Sequence, residues 1–140
     1  MKLLKFPNTD ASREEFFNLP RIEFIIDSID KSEFGNIDKM VTNERLEISD
    51  RFSMAIPDNR MADAGIHKGD YAIVQRKNRY FEGDIIVAKL GERVFIRRYF
   101  RSKNRIRLEC NTPDRQSMIL DQYTPGFIIL GTVIQVIREF

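Results

Sequence analysis

Apolar and polar positions change their rhythm near residue 50 of this 140-residue chain. From Phe52 onward, apolar residues come in short runs bounded by Gly, Pro, Asn or Asp, the pattern of strands separated by turns. Phe52–Ile56 and Tyr71–Val74 are two such runs. Gly83-Asp84 leads into Ile85-Ile86-Val87-Ala88-Lys89-Leu90, a near-continuous apolar run of the kind that is buried on both faces. Gly91-Glu92 predicts a tight turn into Val94-Phe95-Ile96. Ser102-Lys103-Asn104 turns the chain into Ile106-Arg107-Leu108, where alternation predicts one wet face. Asn111-Thr112-Pro113-Asp114 reads as a loop and Met118-Ile119-Leu120 as a short strand. Phe127–Ile137 is a long apolar strand interrupted by Gly131, a bulge or a point of close approach. Together these runs predict a mostly β domain over residues 51–140, a partial barrel or folded sheet.

Residues 1–50 read as an N-terminal arm and linker. Asp10 or Ser12 can cap a short helix, with Glu15 completing a capping box on Ser12. Phe16, Phe17 and Leu19 would pin that helix to a surface, and Pro20 stops it. Ile22–Ile26 is predicted as a strand. Residues 27–50 are polar, with Gly35 and scattered Phe34, Ile37, Met40 and Val41, and predict a linker with room for a turn of helix.

Composition narrows the class. A hydrophobic content of 42% and a charged content of 31% are ordinary for a soluble globular domain. The net charge of +2 decides nothing about nucleic acid. No apolar run approaches ~18 residues, so no membrane helix is expected, and Met1–Pro7 is too short and too soon interrupted for a signal peptide. The single cysteine, Cys110, excludes an intramolecular disulfide and fits a reducing cytoplasm. With one histidine, His67, it makes a zinc site improbable, and no cofactor is implied. Cys110 reads as a small buried apolar residue, and Asp63, His67 and Asp70 as turn residues.

The densest stretch is Phe52–Val74. A strand, the polar break Pro57-Asp58-Asn59, Arg60-Met61, and two turns, Asp63-Ala64-Gly65 and His67-Lys68-Gly69-Asp70, precede a second strand. Strand, corner, turn and strand in so few residues is a site-building layout. The stretch resembles the start of the catalytic domain of the LexA/UmuD family of self-cleaving serine peptidases. There, a strand is followed by Gly-Asp-Ser-Met, then by a turn ending in Gly-Asp. Met61 falls on that Met, Gly69-Asp70 on that Gly-Asp, and Arg60 on the serine. Gly83-Asp84-Ile85-Ile86-Val87-Ala88 is similar to the family's next strand. Ile129-Leu130-Gly131-Thr132-Val133 through Arg138 is similar to its closing strand. The resemblance covers roughly residues 52–138, and the length is closer to that of UmuD-type members.

The resemblance implies a serine–lysine dyad in which a neutral lysine takes the serine proton. The lysine's strand pattern corresponds to Val94-Phe95-Ile96-Arg97-Arg98, which puts Arg97 at the lysine position. Arginine offers no hydroxyl, and a guanidinium stays protonated at physiological pH, so neither role survives. The bond equivalent to the family's cleavage site falls near Asp27-Ser28, where the small residue before glycine is missing. Two guanidiniums in place of the dyad would repel by about 4 kcal/mol at ~4 Å and an effective dielectric near 20. They must splay into solvent or share an anion or carboxylate, and Asp58 is the nearest local candidate.

The preferred function is thus non-catalytic, a dimerising accessory or regulatory factor of the SOS or mutagenesis type. By resemblance, a translesion polymerase or RecA filament is a partner to test. Dimerisation would use the closing strand, at Phe127, Ile129, Val133, Ile134 and Val136, which are apolar at both parities. One alternative is the dimerisation domain of a phage or SOS repressor that acts with a separate DNA-binding protein. Another is a self-cleaving peptidase with a relocated nucleophile such as Ser28 or Ser53, which would need a neutral Lys89 beside it. Arg97, Arg98, Arg101, Lys103, Arg105 and Arg107 put six cations in eleven residues. The alternation of Arg105 and Arg107 fits a solvated hairpin, with a nucleic-acid or acidic-partner patch as the other reading.

Overall fold

The computed structural model describes residues 2–6, 16–31, 50–121 and 123–139. The order is β1 (Lys2–Phe6), α1 (Ile22–Lys31), β2 (Arg51–Ala55), a 3-10 turn (Ala62–Ala64), β3 (Tyr71–Gln75), β4 (Ile85–Leu90), β5 (Arg93–Ser102), β6 (Arg105–Glu109), β7 (Ser117–Asp121) and β8 (Phe127–Glu139). One sheet runs β2-β3-β8-β4-β5-β6-β7, and β1 pairs in parallel with the end of β8. The other pairings are antiparallel. This is the mostly β architecture the apolar runs predict.

β4 is buried on both sides. Ile85 and Val87 enter the main core with Phe52, Met54, Val74, Ile96, Leu130, Val133 and Val136, while Ile86 and Ala88 join Phe95, Tyr99, Leu108 and Leu120 in a second cluster. β8 is the central strand. β3 lies along one edge of it, and β4 and then β1 lie along the other. Gly131 is both a bulge and a close approach. The β4–β8 register slips beside it, and a Cβ there would sit 2.6 Å from the Gln75 carbonyl oxygen.

The strand predicted at Ile22–Ile26 is a helix. Ile22, Ile25, Ile26 and Ile29 recur at helical spacing, and Ile22 and Ile25 are buried in the main core, with Ile26 and Ile29 packed against it. Glu23 in the first turn suits the helix dipole. Residues 16–18 are helical and the helix stops before Pro20, as expected, while the Pro20 carbonyl accepts the Ser53 N–H at 2.9 Å and ties the arm to β2. Phe16 is buried against Ile73 and Ile137, with its ring edge-on to Tyr71, whereas Phe17 stays exposed. The expected cap at Asp10, Ser12 and Glu15 and the linker residues Phe34, Gly35, Ile37, Met40 and Val41 lie outside the described residues.

Candidate functional site

The corner after β2 is held by its own backbone chemistry. Ile56 and Met61 are buried, so the polar segment between them is anchored at both ends. Asp58 Oδ1 accepts the Arg60 N–H at 3.0 Å, and Asn59 Oδ1 accepts the Lys68 N–H at 2.8 Å. The 3-10 turn closes on Gly65, whose φ of 83° is left-handed and favours glycine. Asp70 then accepts the His67 N–H at 2.9 Å. Its carboxylate also takes a two-bond fork from Arg138 on β8, and the same guanidinium donates to the Gly65 carbonyl at 3.0 Å. The corner is thus clamped to the central strand.

A second tether comes from the loop after β6. The Asn111 N–H donates to the Arg60 carbonyl at 2.8 Å, and the Asn111 carbonyl accepts the Asp63 N–H at 2.9 Å. This docking brings Cys110 and Asp114 into the neighbourhood.

Arg97 reaches the corner from β5. It is 5% exposed. Its Nη1 donates to the Ile96 carbonyl at 2.6 Å and lies 3.9 Å from Asp58 Oδ2. The guanidinium carbon sits 5.3 Å from the centre of the Phe95 ring. Arg60 turns outward instead, its Nη1 3.8 Å from Asp114 Oδ2 with both side chains about half exposed. Asp58 therefore stands between the two arginines, touching the backbone of one and the side chain of the other. Burial pulls the Arg97 guanidinium below its ordinary pKa. Cys110 and Asp58 draw it back up, and Arg93 and Arg60 add to the fall. It stays a cation at physiological pH. It can therefore hold an anion or a carboxylate, and it cannot accept a proton.

The structure brings Asp58, Arg60 and Arg97 together. Asp27 and Ser28 lie within α1, where the Ser28 hydroxyl donates to the Phe24 carbonyl at 2.8 Å. Ser53 is buried on β2 and Lys89 stands on β4, with β3 and β8 between them. That is three strand spacings, about 14 Å, so these two do not form a dyad. On β8, Val133 and Val136 are buried in the main core, Phe127 and Ile129 are half-buried on the second cluster, and Ile134 is half-buried beside Phe16 and Ile137. Cys110 is a buried free thiol. Among the described residues, no three His, Cys, Asp or Glu side chains converge to hold a metal.

Asp114, Asn111 and Arg138 complete the neighbourhood, and the sequence does not mark them as site residues. Only Arg138 left a signal, as the charged end of the closing-strand pattern. The docking of the 111–114 loop on the corner is a long-range contact that no local pattern announces.

The Peptidase S24-like family model matches residues 27–134. A LexA repressor from Desulforamulus reducens is 29% identical over 130 residues, which cover 91% of this chain and 59% of that protein. One from Clostridium acetobutylicum is 31% identical over 124 residues, 86% of this chain and 59% of that protein. One from Clostridium tetani is 36% identical over 89 residues, 64% of this chain and 42% of that protein. The chain thus spans about half the length of the curated relatives it matches.

Proposed function

The chain belongs to the Peptidase S24-like family, and from that premise we propose that it is a LexA-like member that does not cut itself. It acts instead as a dimerising regulatory or accessory factor in the response to DNA damage. One observation carries this reading. The group buried beside Asp58, where the family resemblance puts the general base, is the guanidinium of Arg97. A lysine there can be desolvated into a neutral base, whereas a guanidinium keeps its proton. Arg60, at the nucleophile position, has no hydroxyl or thiol. The segment assigned to the scissile bond, Asp27-Ser28, lies in a helix, and a peptide must be extended to enter a cleft and meet a nucleophile.

The dimer reading draws support from β8, where Phe127, Ile129 and Ile134 keep part of their apolar surface exposed. A translesion polymerase and the RecA filament remain the partners to test. No helix among the described residues is long and apolar enough to cross a membrane. The test is incubation with activated RecA filament beside a self-cleaving family member. The chain should bind or ignore the filament and stay whole. Filament-dependent cutting between residues 25 and 36 would refute the reading.

A second reading is transcriptional. The relatives above are repressors, and a dimerising β domain could serve one. Loss of repression on deleting this chain, with no effect on mutagenesis, would select that reading.

A further inference from the structure

The loop between β6 and β7 docks on the corner without a buried side chain of its own, since residues 111–116 are all half-buried or exposed. Asn111 is the hub of that docking. Its N–H and carbonyl hold Arg60 and Asp63, and its Oδ1 accepts the Arg98 Nε–H at 3.1 Å. Arg98 is pinned in turn by a bond from Nη1 to the Gly83 carbonyl at 2.8 Å. The Cys110 N–H donates to the Gln116 carbonyl at 2.8 Å and closes the loop at its root. Arg115 stands at a φ of 42°, where residues other than glycine are uncommon. The ion pair of Asp114 with Arg60 is 3.8 Å long and half exposed, so it adds little. A segment with few apolar contacts and exposed hydrogen bonds opens at low free-energy cost.

Two closed-off groups lie at the root of this loop. β5 and β6 pair Arg98 with Glu109. One step further, the same register sets Cys110 opposite Arg97, on one face of the sheet. Both are buried, Arg97 at 5% and Cys110 at 6% exposed. Among the described residues, the carboxylate beside the Arg97 guanidinium is Asp58 at 3.9 Å, beyond hydrogen-bond range. The water that Arg97 loses is therefore poorly replaced, which favours opening. We propose that residues 111–116 are a gate over Arg97 and Cys110. Docked, the loop seals both from solvent. Released at Asn111, it bares a cation and a thiol together while the sheet stays folded. The corner is then a two-state element, and access to Arg97 follows the state of this loop. The gate does not depend on whether the chain cuts itself.

Cys110 is the single thiol of the chain, so its alkylation by iodoacetamide, followed by intact mass, reports opening. In the full chain, alkylation should be slower than in the urea-unfolded chain. Its rate should stay flat in urea below the unfolding transition, because releasing a short loop exposes little surface. Asn111→Ala should raise the rate at least about tenfold, since it removes a bond to a charged group. Exchange of the Asp63 amide, whose acceptor is the Asn111 carbonyl, should rise by the same factor. Arg98→Met withdraws the guanidinium from the same oxygen and should act in the same direction. The urea series on the wild type needs no variant. Alkylation that climbs with global unfolding across that series would overturn the gate, as would alkylation as fast as in the unfolded chain. So would an unchanged rate in Asn111→Ala, or one that rises while exchange at Asp63 does not.

Discussion

Arg138 grips Asp70 with both arms of its guanidinium, Nε at 2.9 Å from Oδ1 and Nη2 at 2.9 Å from Oδ2. The pair joins residues 68 positions apart and fixes the corner that carries Arg60 to the central strand. Asp70 is buried, and Arg138 is partly exposed. Removing the arginine leaves a buried carboxylate with only the His67 N–H. Arg138→Ala should therefore cost about 2–3 kcal/mol, less than for a fully buried pair because water can enter. Chemical denaturation of the two proteins gives the value.

The same pair predicts an acid dependence. Burial alone would raise the Asp70 carboxyl, but the Arg138 fork and the His67 N–H outweigh it and hold the group below its usual 3.8. The folded value is lower than the unfolded one, so the stabilisation is complete above 3.8 and is lost as pH falls through the lower, folded value. Melting temperatures taken downward from pH 5 should fall more steeply in the wild type than in Arg138→Ala. Parallel curves would show that the pair adds nothing to acid sensitivity.

Gly131→Ala should destabilise the sheet. The new methyl group would stand 2.6 Å from the Gln75 carbonyl oxygen and 2.7 Å from Val74 Cγ1. The first is backbone held in the β3–β8 ladder and cannot step aside cheaply, so a loss of about 2–3 kcal/mol is expected. An unchanged melting temperature would mean that the strands separate easily at this point.

The dimer reading separates two neighbours on β8. Val133 is buried in the main core and Ile134 is half-buried on the other face. Val133→Asp should unfold the chain. Ile134→Asp should leave it folded and turn a dimer into a monomer by light scattering. A wild type that is monomeric at high micromolar concentration, or an Ile134→Asp that unfolds, would remove that interface.

Much of this was legible in the sequence, for identifiable reasons. β4 declared its double burial because Ile85 to Ala88 hold no polar residue, and Gly131 declared the close approach because an apolar strand tolerates glycine poorly. The helix α1 reads as a strand in a window as short as Ile22–Ile26. Extending it to Ile29 exposes the helical period. Arg97 and Arg60 could be placed by motif. The tether through Asn111 and the ion pair of Arg60 with Asp114 could not, because they arise only when the β6–β7 loop folds onto the corner. The pairing of β1 with β8 is likewise a long-range contact.

Restoring the two motif residues tests the proposal that the chain does not cut itself. Arg60→Ser with Arg97→Lys should give little self-cleavage, because Asp27-Ser28 lies in α1 and a carboxylate there costs several kcal/mol to desolvate. Adding Asp27→Ala and Ser28→Gly should recover measurable cutting. Robust cleavage by the double variant alone would put the scissile bond elsewhere.

The most direct measurement is the intact mass of the wild-type chain over time at alkaline pH, beside a self-cleaving relative. Raising the pH deprotonates a lysine base and accelerates the relative. It leaves the guanidinium of Arg97 protonated. This chain should keep its full 140-residue mass while the relative is consumed. A fragment beginning between residues 25 and 36, growing faster as pH rises, would contradict it.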